Sequence, residues 1–331
     1  MMPLPSPVCD RLLPVACLLS SVLCFLPSGH AQTREQGPWW PNALWGATDQ
    51  AGASNWITPE KIREAAKLVK TGQVYDLGHP YEQGMPLNGQ RSYKLTIPSF
   101  PTHGPVLSAG REVYFNDEFV AGEIGQVGTQ FDGPGHVGQA VTMASGEKKI
   151  VFYNGFTADE LRNPYGLLQL GVEHVKPIFT RGLLFDIAGL RGVDILPEGY
   201  VVSLADVRDA LAREGLVEKD LRPGDALLFN FGWWRHWPNR IAVEGRAPYV
   251  SDEVIAWIIA RQPSMIGSDT NLDGPEFKVH TEIILKHGIF NLELMTFDKL
   301  AADKAWEFLF VFTPVPLKGA TGSPGRPIAI R

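Results

Sequence analysis

Apolar residues recur along the chain with two different spacings. After Thr58 and Pro59, residues Ile62, Ala65, Ala66 and Val69 fall at helical intervals up to Gly72. Threonine is a helix-capping residue, and proline suits the first helical position because its missing N–H has no helical partner there. Ser203 to Gly215, carrying Leu204, Val207, Ala210 and Leu211, reads the same way. So does the stretch from Ser251 with Val254, Ile255, Ile258 and Ile259, each helix having a one-sided apolar stripe. Between these helices stand short apolar runs: Val74 to Leu77, Gly182 to Ile187, Ala226 to Phe231, Met265 to Gly267, Ile289 to Met295 and Phe308 to Phe312. Most are bounded by Gly, Pro or Asp and read as strands. The pattern predicts an α/β fold, a mixed sheet with flanking helices. No long linker interrupts it, so one domain is expected over residues 59–331. Residues 32–58, with Trp39, Trp40, Trp45 and Trp56 in no regular period, are expected to form an arm packed on its surface.

The chain begins differently. One positive charge at Arg11 precedes an apolar stretch from Leu12 to Leu26, then Pro27, Ser28, Gly29, His30 and Ala31 lead into a polar run. That is the layout of a secretory signal peptide over residues 1–31, cut after Ala31, which predicts an exported, periplasmic or secreted protein. The stretch is about 15 residues, short of the roughly 20 needed to span a bilayer, so no membrane association is expected once it is removed. Cys9, Cys17 and Cys24 all lie in this leader, which leaves the rest of the chain without disulfides, thiolate ligands or a cysteine nucleophile.

Composition narrows the partners. At 44% hydrophobic and 20% charged, the 331 residues carry enough apolar material for a large core, which excludes disorder. The net charge of −6 with scattered Lys and Arg argues against nucleic acid and anionic membranes. A small-molecule substrate is the expectation.

Candidate chemistry concentrates in two segments. In an extended 126–136 segment Gln126, Gln130, Asp132 and His136 would share one face, with Val127, Thr129 and Phe131 on the other. Gln130 and Asp132 would lie about 6.6 Å apart, near enough to reach one ion, whereas Asp132 and His136 would be about 13 Å apart in a straight chain. Gly133-Pro134-Gly135 is the composition that bends such a strand back on itself. Gly133, Gly135 and Gly138 also spell a dinucleotide-binding pattern, with Asp159 downstream. Pro134 inside the loop and Gly146 soon after leave too short a helix for it.

In the second segment Gly288 ends a short helix that places His280, Ile284 and His287 on one stripe. Glu293 follows among Phe290, Leu292, Leu294 and Met295, and a buried carboxylate there requires a cation or hydrogen bonds. Asp269, Asp186, Glu282 and His79 read as structural groups. Trp233, Trp234 and Trp237 suit packing or, alternatively, a pocket for a flat substrate. The chain has no G-x-S-x-G, H-E-x-x-H or G-x-x-x-x-G-K-[ST] motif. A water activated by an ion or a histidine remains.

These segments resemble the cyclase family, which includes bacterial kynurenine formamidases, isatin hydrolases and a metal-dependent dienelactone hydrolase. Its signature H-x-G-T-H-x-D-x-P-x-H stands here as Gln126-x-Gly128-Thr129-Gln130-x-Asp132-x-Pro134-x-His136. Tyr75 to Pro80, Thr180 to Asp186, Pro223 to Asp225, Gly267 to Thr270, His280 to Glu293 and Gly319 to Ala329 resemble further family blocks, over roughly residues 73–331. The resemblance implies a swivelling β/β/α fold. It also implies a metal site of Asp132, His280 and Glu293, with His136 moving protons as general acid and base. Gln126 and Gln130 replace two histidine ligands. Their carbonyl oxygens are harder and weaker donors, so Gln130 is carried as a ligand, Gln126 as a weak metal or substrate ligand, and one divalent ion is expected. Manganese or zinc leads, with magnesium possible.

The implied activity is hydrolysis of an amide, lactam or lactone by metal-activated water, in a homo-oligomer. Arylformamidase activity on kynurenine precursors in tryptophan catabolism is the family's best-known case, but an exported enzyme has no obvious cytoplasmic substrate. The alternative is a non-catalytic periplasmic small-molecule binding protein with a degenerate metal site.

Overall fold

The computed structural model describes residues 34–237, 239 and 246–331, so the expected leader lies outside the described residues. The apolar runs of the sequence form the middle of a nine-stranded sheet. Along the chain its strands are β1 (Val74–Asp76), β2 (Gln130–Asp132), β3 (Ile178–Asp186), β4 (Ala226–Asn230), β5 (Met265–Ser268), β6 (Phe290–Glu293), β7 (Glu307–Phe312), β8 (Gly322–Pro324) and β9 (Ile328–Ile330). Across the sheet the order is β1-β9-β7-β3-β4-β5-β6-β2-β8. The four central strands β3 to β6 run parallel, and the flanking pairings are antiparallel.

Uninterrupted apolar runs belong in strands covered on both faces, and alternate residues show how. Leu183 and Phe185 of β3 and Leu227 and Phe229 of β4 pack with Val207, Leu211, Val254, Ile258 and Ile283. Leu184, Ala226 and Leu228 point the other way, into a second core with Tyr75, Phe131, Phe290, Phe308, Phe310 and Phe312.

The first core is closed by helices α2 (Leu204–Arg213), α3 (Asp252–Arg261) and α4 (Val279–Lys286), the last wound with the wider π-type turn. Helix α1 (Pro59–Ala66) precedes β1. The side chains of Thr58, Ser203 and Ser251 cap α1, α2 and α3 by accepting from the N–H groups of Lys61, Asp206 and Val254. Helix α1 stops well before Gly72. Val69 stays exposed, so no apolar contact draws the last turn into the helix.

Among the described residues three antiparallel two-stranded ribbons fall where no strand was expected: Tyr93–Thr96 with Phe119–Gly122, His103–Ser108 with Arg111–Phe115, and Gln139–Thr142 with Lys148–Val151. Their side chains are mostly exposed, Leu107 and Phe119 at 78% and 59%, so no buried face gave them a clear sequence pattern. The arm packs against the domain. Ala53 donates its N–H to the Gly288 carbonyl at 2.8 Å, just past α4, and Tyr153 donates its hydroxyl to Asp49 at 2.8 Å. Among the described residues no helix is long and apolar enough to cross a membrane.

Phe131 anchors β2 from below, fully buried with its ring centroid 5.0 Å from that of Phe290 and 5.3 Å from that of Phe312. Phe131→Ala is expected to cost about 3–5 kcal/mol in urea denaturation. A loss under about 1 kcal/mol would show that this aromatic contact does not hold the strand.

Candidate metal centre

The register of three strands assembles the polar face. Gln130 pairs with Glu293, and Asp132 pairs with Asn291 on one side and Gly322 on the other. Residues two apart on a strand share a face, so Gln130, Asp132, Asn291 and Glu293 stand together while Phe131 and Leu292 enter the core beneath. Thr129 locks the entry by donating to the Leu294 carbonyl at 2.7 Å and accepting the His79 N–H at 2.9 Å.

The chain turns back immediately after β2. Gly133 donates its N–H to Thr321 and His136 donates its N–H to Gly133. This turn brings His136 Nε2 to 3.7 Å from Asp132 Oδ1. From α4, His280 Nε2 lies 3.6 Å from Asp132 Oδ2 and 3.8 Å from Glu293 Oε1. Asp132, His136 and His280 thus present three ligand atoms within 4.8 Å of one another.

Glu293 stands beside this trio with both oxygens partly engaged. Oε2 accepts from Gln130 Nε2 at 3.0 Å, and Oε1 accepts from Asn291 Nδ2 at 3.1 Å. The bond to Glu293 leaves Gln130 Oε1 buried without a donor.

Gln126 departs from the expected arrangement. The strand begins only at Gln130, because Gln126 already sits in a turn, its N–H bonded to the Glu123 carbonyl. Its amide packs against the Gly322 backbone, with both polar atoms buried and unpartnered, and it does not line the cleft. His287 also departs from the expected stripe. The π-type winding separates it from His280, and it lies exposed with Nδ1 against the Glu282 carbonyl.

A cleft of about 630 Å³ opens over the cluster, within the range of small-molecule sites. Of the three expected tryptophans only Trp233 lines it. Trp237 stacks on His79 with ring centroids 4.3 Å apart, and Trp234 lies under Arg235. Asp269 fixes the loop that carries them, accepting the N–H groups of Phe231 at 3.1 Å and Trp234 at 3.3 Å.

Sequence reasoning missed Asp273. Its Oδ2 bonds His280 Nδ1, and its Oδ1 accepts the Val279 N–H at 2.7 Å, so one buried carboxylate caps the start of α4 and orients its histidine. The Asp273-Gly274-Pro275 turn was the available signal. Such a carboxylate fixes the ring of a metal-binding histidine so that the opposite nitrogen faces the ion.

The electrostatics of the two histidines diverge. Burial is the largest influence on each and disfavours the imidazolium. For His136 burial prevails over the pull of Asp132, assisted by the charges of His280 and Arg91, and its pKa falls below the ordinary value. For His280 the hydrogen bond to Asp273 and the charges of Glu293 and Asp132 outweigh burial, and its pKa rises to about 9. Glu293 is pushed well above the usual carboxylate range, by burial first and then by the charge of Asp132.

The residues fit a divalent cation. Both oxygens of Asp132 are buried and accept no hydrogen bond from the described residues, a costly state for a carboxylate unless a cation faces it. Ligand atoms about 2 Å from a common ion stand roughly 3.0–3.5 Å apart, close to the spacing of Asp132 from both imidazoles. Asp132, His280 and Glu293 would hold the ion, with Gln130 Oε1 beside them and His136 within reach.

Cation binding must displace the His280 proton, because a ligating Nε2 has to be unprotonated. Affinity is therefore expected to rise with pH from about 6.5 to about 9, by up to roughly tenfold per unit for each proton released. In the metal-free protein the raised pKa contributes stability that is fully present below about 6.5 and lost as pH rises through about 9. Calorimetric titration with manganese in buffers of different ionisation enthalpy measures the release. Asp273→Asn should lower the His280 pKa and flatten the dependence, and an unchanged slope would remove Asp273 from the linkage.

Comparison with known proteins gives the chain its relatives. The family model described as "Putative cyclase" matches residues 75–272. A crystal structure of a novel cyclase is similar at 28% identity with a TM-score of 0.74, over 87% of this chain and 98% of that one. Isatin hydrolase A from Ralstonia solanacearum is similar at 19% identity and TM-score 0.55, over 83% of this chain and 99% of that one. An isatin hydrolase bound to the product analogue thioisatinate aligns at 16% identity and TM-score 0.52, over 82% and 98% of the two chains. No curated protein matches in sequence. The large mixed sheet with flanking helices is the fold of these cyclase structures, as the resemblance implied, and the chain belongs to the cyclase family.

Proposed function

We propose that the protein is a metal-dependent hydrolase of an amide, lactam or lactone. The observation that carries this reading is Asp132, a buried carboxylate with no donor on either oxygen among the described residues, set between two imidazoles at 3.7 and 3.6 Å. Burial leaves His136 available as a neutral proton acceptor, while Asp273 turns His280 Nε2 toward Asp132 as a ligand atom. The fold shared with isatin hydrolases points the same way.

A divalent cation at Asp132, His280 and Glu293 would supply positive charge that polarises a carbonyl and acidifies water. The chain's own residues do the rest. Asp273 holds His280 by Nδ1 and so fixes which ring nitrogen faces Asp132. His136, kept neutral by burial, takes a proton from the attacking water and returns it to the departing nitrogen or oxygen. Trp233 gives the cleft an aromatic wall for the substrate. The leader at residues 1–31 makes export part of the same proposal.

Elemental analysis of protein purified without chelators, combined with a panel of amides, lactams and lactones, tests the reading. Stoichiometric metal and turnover are expected. A protein with neither is the binding protein that the two glutamines would also suit. His136→Gln should lower kcat/KM by about 10² or more with metal content unchanged. Loss of the metal instead would make His136 a ligand. Asp132→Ala should lose the ion, and retained metal would contradict its assignment.

A further inference from the structure

The cleft contains a cation to which the proposed hydrolysis gives no role. Arg91 ends a turn in which its N–H bonds the Asn88 carbonyl at 3.3 Å, and it lines the same cleft as His136 and His280. Its Nη1 donates to the main-chain oxygen of Gln126 at 2.8 Å, beside the signature segment. A carbonyl acceptor fixes the guanidinium without neutralising it. Among the described residues no carboxylate lies within ion-pair distance of Arg91. Glu123 is near enough to feel its charge, but Glu123 Oε2 is engaged by Ser92, accepting its N–H at 2.7 Å and its hydroxyl at 3.0 Å. A half-buried guanidinium, anchored at one nitrogen and facing a cleft, is preorganised to take two oxygens of an anion on its remaining edge.

We propose that Arg91 is the anion-binding residue of this cleft, and that it selects substrates carrying a carboxylate apart from the bond to be broken. The substrate role rests on the hydrolase reading, whereas the anion site does not. Arg246 lines the same cleft from an exposed position and provides the control for a merely diffuse positive field.

Benzoate and benzamide differ in charge but scarcely in shape, and calorimetric titration of each into the purified full chain tests the proposal. Benzoate should bind at least about tenfold tighter than benzamide in low salt. Arg91→Gln should remove at least about tenfold of the benzoate affinity and leave benzamide within about twofold, with metal content and circular dichroism unchanged. Arg91→Lys, which keeps the charge without the planar fork, should fall between the two and serves if the glutamine variant does not fold. Equal binding of the two probes, no binding of either, equal loss of both in Arg91→Gln, or equal damage from Arg246→Gln would each overturn the proposal. The measurement requires no turnover, so failure to find a hydrolysed substrate leaves its result readable.

Discussion

Two carboxylates, Asp132 and Glu293, are buried close to one another at the meeting of β2 and β6. In a low-dielectric interior such a pair repels, and each acid also loses its hydration, so the arrangement persists only with compensation. The protein supplies part of it. Gln130 and Asn291 donate to Glu293, and His280, held from behind by Asp273, contributes positive charge. Among the described residues nothing donates to the Asp132 carboxylate. The remaining demand is for a cation, and the position of His136, the turn after Asp132 and the winding of α4 are all arranged around that point.

The sheet makes this possible because the site's geometry is set by backbone ladders. β2 is only three residues long, yet β6 and β8 flank it and Phe131 holds it from the core side. Ala53 contributes at a distance, bonding Gly288 two residues beyond α4. The supports of this polar surface are apolar packing and main-chain hydrogen bonds.

What could be read from the sequence was what short-range pattern encodes. The central strands and the capped helices announced themselves by periodicity, and Gly133-Pro134-Gly135 announced the turn that brings His136 back to Asp132. Glu293 was conspicuous as an acid in an apolar strand. Asp273 was not, because its partner His280 lies across a turn and no periodicity links them. Arg91 comes from a glycine-rich connection, and its placement follows from a single bond to the Gln126 carbonyl, which side-chain identity cannot reveal. Gln126 was misplaced for a related reason. Alternation in an extended chain holds only while the chain stays extended, and the ladder begins four residues later. The exposed ribbons between residues 93 and 151 lacked a buried face, so the signal that identifies strands was weak there.

The pairing of Gln130 with Glu293 and of Asp132 with Gly322 carries an implication for what the site tolerates. Because the register of neighbouring strands sets where these side chains stand, a residue on the polar face can be exchanged for another of similar size while the scaffold survives. Gln130, at one of the signature's histidine positions, fits that description. The ladder thus separates where a donor atom stands from which donor it is, so the cation preference of the face can change while its spacing does not.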